Sequence, residues 1–374
     1  MLRLLLLSLP ACAGRGEAAP EVHIGVLASL TGQRASISGK ATREGAEMAT
    51  EAINRAGGVE IAGVRYRLVA VFADVGEATS GATSAAQTLL TRPDIVALVG
   101  PQYSRNAVPV ASLAENAHVP MITPMATHPA VTAGRRWVFR VAYTDDFQAG
   151  VLARWAIEGL HARRAAILFE ESAPYSRDIT TSFTNRFTAA GGRIVARESY
   201  TRDRAGDFRD ALGRIAKAAP DVLLLPNELP DDTLQMKQAR AAGVTAPFLL
   251  PDFVDASVMG RIPAAAGLYT THHWNPGNPD SASRAFVAQY DRTYHGIPAV
   301  TAAATYDAIM LLCDAMHRAG STQPDAVRAA LAATTAFRGV TGLLRYDGAQ
   351  DPRKSASVLH LENGHLAVVR VVTP

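Results

Sequence analysis

Two hydroxyl residues, Ser104 and Thr127, each follow a short apolar run and a break, in DIVALVG-PQYS and HVPMITPMAT. Asp94–Gly100 reads as a buried strand ending in glycine. A turn follows, and Ser104 takes the place of a helix N-cap, with RNAVPVASLAENA behind it as the helix. Backbone N–H groups exposed at such a start, with the helix dipole behind them, favour a carboxylate or phosphate. The next run, Val119–Pro124, leads into Met125-Ala126-Thr127, which adds backbone donors and a second hydroxyl at the same edge. Ligands of open α/β sheets sit beyond the carboxyl ends of strands, so two polar strand ends side by side make an anion-binding crevice. As ordinary cap and turn residues Ser104 and Thr127 would need no ligand, and at this level both readings stand.

The elements that would position these residues alternate along the chain. Val22–Ala28 is an apolar strand. Ser38–Gly57 follows as a helix with Ala41, Gly45, Met48, Ala49, Ala52 and Ile53 on one face and Gly57 as its stop. Arg65–Asp74 reads as a strand and Glu77–Thr91 as a helix. After the apolar run Val138–Tyr143 the scheme restarts: helix Asp145–Leu160, strand Ala165–Glu170, helix Ser176–Gly191, strand Arg193–Thr201, helix Asp207–Ala219, strand Asp221–Pro226, helix Asp231–Gly243 and strand Pro247–Asp252. Strands separated by helices of this length imply parallel sheets covered on both faces. The fold class is therefore α/β with two lobes, each a mainly parallel sheet with helices on both faces, joined by a hinge of several strands. Helices Ser281–His295, Val300–Ala319 and Gln323–Thr334 bring too few strands for a third domain and return to the first lobe. The expected division is 21–142 with 270–346 for lobe 1, and 143–269 with 347–374 for lobe 2. Crossings are expected near Val141–Tyr143, Leu268–Thr271 and Leu344–Asp347, an arrangement suited to closure around a ligand.

Composition narrows the function classes. The chain has 374 residues, 48% of them apolar, and a formal charge of +3. It lacks a dense Lys/Arg run with interleaved aromatics, so nucleic acid is not an expected partner. The start MLRLLLLSLPACAG has the basic residue, short Leu-rich core and small residues of a secretory signal, expected over residues 1–20. It is too short to span a bilayer. Leu9-Pro10-Ala11-Cys12 resembles a lipoprotein cleavage box with Cys12 as the lipid-bearing residue, although proline is unusual there; lipidation and ordinary cleavage both stay open. Cys313, in an apolar helix pattern, is expected to be a small core residue without a disulfide partner.

Several segments together resemble a known group: IGVLASLTG (24–32), INRAGGV (53–59), LVGPQYS…VPMITPMATHPAVT, FRVAYTDDFQAG (139–150), QARAAG (238–243) and PFLLPD (247–252). In order and spacing they look like the periplasmic leucine/isoleucine/valine-binding proteins, the type I solute-binding proteins of ABC importers, over about residues 22 to 370. The resemblance implies an extracytoplasmic protein of the periplasm that captures an amino acid or related small molecule between two lobes and delivers it to an inner-membrane permease. It implies that the ligand carboxylate is held by Ser104, the backbone of Met125 and Thr127, and its ammonium group by Thr127 and Asp252, where the family more often has Glu. Tyr175, in EESAPYSRD, matches a tyrosine that covers the ligand. Hydroxyl and amide donors for an anion and one carboxylate for a cation agree with that transfer.

Departures from the family pattern concern the far end of the ligand. Glu228 stands where the family carries an aromatic over an aliphatic side chain, and the apolar contact of the first loop falls near Ile37 and Ser38. A carboxylate facing a leucine side chain would lose hydration without compensation, at a cost of several kcal/mol. Either Glu228 points to water, or it reads the distal part of a polar or cationic ligand. Asp145 and Gln148 either face the cleft or cap the helix that begins there; Tyr103 either stacks on a ligand or packs its loop.

Enzyme readings fare poorly. GQRASISGKA has a P-loop's glycines, but its loop is two residues too long and Ala41 stands where a Mg²⁺-binding hydroxyl is needed. His272 and His273 are adjacent and so point apart on a strand, without a third ligand at metal-binding spacing; a surface or cleft-edge role is expected. No Gly-x-Ser-x-Gly elbow is present. Neither a cofactor nor a metal is expected. The alternative to transport is a ligand-binding sensor or receptor subunit of the same fold, acting through a separate partner.

Overall fold

The computed structural model describes residues 19–252 and 256–374, so Cys12 and nearly all of the expected leader lie outside the described residues. The first sheet is built from β1 (Glu21–Ala28), β2 (Val59–Ile61), β3 (Val64–Asp74), β4 (Ile95–Val99), β5 (Met121–Thr123) and β6 (Val138–Arg140), in the order β2-β3-β1-β4-β5-β6. All pairings are parallel except the short β2–β3 edge. The second sheet contains β7 (Arg164–Glu170), β8 (Arg193–Tyr200), β9 (Val222–Leu224), β10 (Phe248–Leu250) and β11 (Tyr269–His272). After a small hairpin of β12 (Phe337–Gly339) and β13 (Gly342–Leu344), two antiparallel strands join it, β14 (Ala356–Glu362) and β15 (His365–Val372), giving the order β15-β14-β11-β10-β9-β7-β8.

Both sheets bury their central strands on two faces, and this is why β1, β4, β7 and β9 read as nearly unbroken apolar runs rather than alternating ones. The helices covering them include α1 (Lys40–Arg55), α2 (Thr79–Leu90), α3 (Ser104–Ala117), α4 (Asp145–Glu158), α5 (Pro174–Ala189), α6 (Arg209–Lys217) and α7 (Asp231–Ala241). Helix Val300–Ala319 returns to the first lobe and packs on α1 at Gly45, where a Cβ would lie 2.2 Å from the Ala302 carbonyl oxygen. Cys313 is buried in that core, and burial pushes its thiol pKa up.

The expected lobe boundary at residue 270 falls inside β11. Thr270 and Thr271 pair with Leu359 and Val358 of the second sheet, so the chain leaves that sheet only after His272. The C-terminal strands β14 and β15 were expected only as part of lobe 2, not as strands; β15 is an exposed edge whose side chains alternate poorly between core and water. Among the described residues no helix is long and apolar enough to cross a membrane, and no group of three or more His, Cys, Asp or Glu could hold a metal ion.

Candidate ligand-binding cleft

The carboxyl end of β4 turns sharply at Gly100, which adopts φ +96°; a Cβ there would lie 2.4 Å from the Leu27 carbonyl oxygen. The turn delivers Tyr103 in an extended conformation as the N-cap of α3, its carbonyl accepting from the Asn106 and Ala107 N–H groups at 3.0 and 2.8 Å. Ser104 is thus the first helical residue rather than the cap. Its Oγ is occupied by the His128 N–H at 3.3 Å, a bond that ties the helix start to the loop after β5. The N–H groups of Ser104 and Arg105, which precede the first hydrogen-bonded turn, lie at the positive end of the helix dipole.

That loop is held rigidly. Thr123 Oγ1 donates to the Pro101 carbonyl at 2.7 Å, joining the ends of β4 and β5. Arg140, at the end of β6 and 0% exposed, donates to the Ala126 and His128 carbonyls at 3.0 and 3.1 Å and to Thr132 Oγ1 at 2.6 Å. Its Nε pairs with Asp351 at 2.6 Å. Met125 and Thr127 are fully buried between these anchors. The Thr127 carbonyl in turn accepts from the Asp145 N–H at 3.1 Å, which carries the chain into α4 and the second lobe.

On that side a continuous polar chain lines the crossing. Thr144 caps α4, accepting from the Phe147 N–H at 3.4 Å. Asp145 and Gln148 are therefore not needed as caps; both are fully buried, with Gln148 Nε2 donating to Asp145 Oδ1 at 3.1 Å. Gln148 Oε1 accepts from the Thr271 hydroxyl at 3.3 Å and the Asp252 N–H at 3.4 Å. Burial pushes the Asp145 carboxyl well above the usual carboxylate range.

Asp252 is 3% exposed, and its two oxygens meet the Tyr175 hydroxyl at 2.8 Å and His273 Nε2 at 3.0 Å. The Tyr143 N–H donates to His273 Nδ1 at 3.5 Å, so the ring proton belongs on Nε2, and the Tyr143 ring lies 3.6 Å from the imidazole centroid to centroid. Burial pushes the His273 pKa down to about 4, against the pull of Asp252. Both partners of Asp252 are thus uncharged at neutral pH. Of the surface or cleft-edge role expected for the histidine pair, the surface part does not hold: His272 and His273 are both buried, and His273 meets the cleft through Asp252.

A second polar group spans the lobes beside the first. Glu228, in the loop after β9, is 10% exposed on its side chain and takes Arg34 Nη2 at 2.6 Å and Arg105 Nη2 at 3.2 Å. Arg105 Nη2 also donates to Glu170 Oε2 at 3.0 Å. Burial opposes ionisation of Glu170, but the Arg105 charge holds its pKa below the usual value. Tyr103 packs in its loop with the Arg34 guanidinium 3.9 Å above its ring.

Ser104, Met125 and Thr127 therefore gather at one edge of the first sheet, and Tyr175 and Asp252 at the facing edge of the second. Asp145 and Gln148 lie at the crossing between them, and Glu228 across from Arg34 and Arg105. Sequence reasoning did not single out Arg34, Arg105 or Arg140, and it considered His273 only as one of a histidine pair. Only Arg140 left a signal, as a lone charge inside the apolar run VFRVAY.

The buried imidazole makes a testable contribution to stability. His273 is neutral in the fold down to about pH 4, whereas in the unfolded chain it protonates near its ordinary value of 6.5. The unfolded state binds the extra proton, so this contribution is complete above pH 6.5 and is lost as pH falls toward 4. The expected loss is roughly 3 kcal/mol. Asp145, whose pKa burial raises, acts in the opposite sense, so the measurement is urea unfolding of the wild type against His273→Gln, at about pH 7.5 and about pH 4.5. Equal losses in the two proteins would refute the assignment.

Comparisons with known proteins agree with this architecture. A family model described as "Periplasmic binding protein" matches residues 21–359. The chain is 27% identical over 340 residues to the leucine-, isoleucine-, valine-, threonine- and alanine-binding protein of Pseudomonas aeruginosa, covering 90% of this chain and 88% of that one. It superposes with a TM-score of 0.87 and 30% identity on the leucine-binding protein LivK of Thermotoga maritima, covering 94% of this chain and 99% of that one. With the branched-chain amino acid transporter substrate-binding protein LivJ of Streptococcus pneumoniae, solved in complex with isoleucine, the TM-score is 0.84 at 27% identity, covering 95% of this chain and 100% of that one.

Proposed function

Because the chain belongs to the periplasmic binding protein family, we propose that it captures a free α-amino acid between its lobes and delivers it to the permease of an ABC importer. The observation that carries this reading is the pairing of opposite preferences across the cleft. The α3 start and the β5 loop offer N–H groups and hydroxyls to an anion, while Asp252 offers a buried carboxylate whose hydrogen-bond partners, Tyr175 and His273, bring no positive charge. An α-amino acid carries both charges, and in this reading one molecule bridges the two lobes. In this reading the carboxylate meets Ser104, the Met125 backbone and Thr127, and the ammonium group meets Thr127 and Asp252, with Tyr175 as the cover.

Closure follows from that bridging, since a ligand shifts the equilibrium only by its differential affinity for the closed arrangement. The lobes proposed are residues 21–142 with the segment after His272 to about residue 346, and residues 143–272 with the C-terminal strands. The family places the protein outside the cytoplasm. The periplasm, reached through the leader, and a lipid anchor at Cys12 are the finer parts of the proposal.

The test is a thermal-shift screen of protein that has been unfolded and refolded to strip carried-over ligand. A ligand with micromolar Kd, at millimolar concentration, should add about 4 kcal/mol of stability. Stabilisation by amides or non-amino carboxylates alone would overturn the amino-acid reading.

A further inference from the structure

Resting on that reading, we infer that the far end of the bound amino acid carries a hydrogen-bond acceptor, such as a side-chain amide, carboxylate or hydroxyl, and is read by Arg34. The carboxylate of Glu228 is not free for this task, because Arg34 and Arg105 both hold its Oε2. What remains unmatched is on the donor side. Arg34 is 3% exposed, yet its Nη1 has no hydrogen-bond partner, and Arg105 Nε is likewise buried without one.

The position of these donors follows from the chain. Arg105 succeeds Ser104 in the first turn of α3, and Arg34 stacks on Tyr103, which precedes it. Across the cleft, the Ser176 hydroxyl accepts from the Glu170 N–H at 3.0 Å, next to Tyr175, whose hydroxyl lies within the field of Glu228. The arginine–glutamate group thus adjoins the groups proposed for the two charged ends of the amino acid.

Arg34 Nε also lies 3.8 Å from Glu77 Oε2, so Glu77, Glu170 and Glu228 already match the charge of the two arginines, and what the subsite lacks is a hydrogen-bond acceptor rather than an anion. A branched aliphatic side chain would leave the guanidinium N–H groups without acceptors in a desolvated place, whereas an acceptor satisfies them. Sites built to hydrogen-bond a substrate group reject analogues lacking it.

The experiment is calorimetric titration of refolded protein with leucine, isoleucine and valine, against glutamine, asparagine, glutamate, aspartate and threonine, repeated on Arg34→Met. The best acceptor-bearing amino acid is expected to bind the wild type roughly 10- to 100-fold more tightly than leucine, and Arg34→Met should remove most of that ratio. The amide and carboxylate arms show which acceptor is preferred. If leucine, isoleucine or valine binds ahead of every acceptor-bearing amino acid, or if Arg34→Met leaves the ratio unchanged, this inference is overturned while the amino-acid cleft stands. Binding of no amino acid overturns the proposed function, and the inference with it. Should Arg34→Met not fold, the wild-type ranking decides.

Discussion

Replacing Asp252 by alanine is expected to weaken binding of the preferred amino acid on the order of 10²- to 10³-fold, with little change in the stability of the unliganded protein. The carboxylate is buried, and its two hydrogen-bond partners are a phenol and a neutral imidazole. An ammonium group brought beside it gains a pairing that water no longer screens. Removing one partner of such a buried pair costs roughly 3–5 kcal/mol, because the other charge is left desolvated and alone. In the unliganded variant Tyr175 and His273 lose only one acceptor each, a smaller penalty. The measurement is titration with the amino acid that most stabilises the wild type, alongside urea unfolding without ligand. An affinity within about 10-fold of the wild type would remove Asp252 from the ammonium site.

Arg140→Ala is expected to destabilise the fold by about 3 kcal/mol or more and to impair ligand binding as well. This side chain is 0% exposed and holds the Ala126 carbonyl, the His128 carbonyl and the Thr132 hydroxyl. Its loss leaves these acceptors buried without a donor, each at roughly 1–3 kcal/mol, and opens a cavity behind the β5 loop. The loop carries Met125 and Thr127, so its loosening should also raise Kd. Asp351, the ionic partner, is 41% exposed on its side chain, and Asp351→Asn should cost under about 1 kcal/mol. Urea unfolding of both variants separates the two contributions; equal losses would assign the effect to the ion pair rather than to the loop.

Parts of this arrangement were legible in the residues. The unbroken apolar runs at β1, β4 and β7 mark strands buried on both faces, and their alternation with helices specifies two parallel sheets. Helix Val300–Ala319 was read with the ends the structure gives it, because an extended proline-flanked start and a left-handed glycine stop are local signals. Boundaries decided by pairing partners were not legible in this way. Nothing near Thr270 says that it pairs with Leu359. Ser104 was read as a cap from its type, but the cap is set by backbone conformation, and the extended residue is Tyr103.

The same division holds in the cleft. The chain by itself determined its two-lobed α/β class and the strand ends that carry Ser104, Thr127 and Asp252, because hydrophobic periodicity and turn chemistry are local properties. Only the tertiary structure decided what those groups face: that Glu228 is taken by Arg34, 194 positions away, and that Asp252 accepts a hydrogen bond from a buried neutral histidine. The energy of a polar side chain depends on its burial and on partners brought in by chain closure, and neither is written in its neighbours along the sequence.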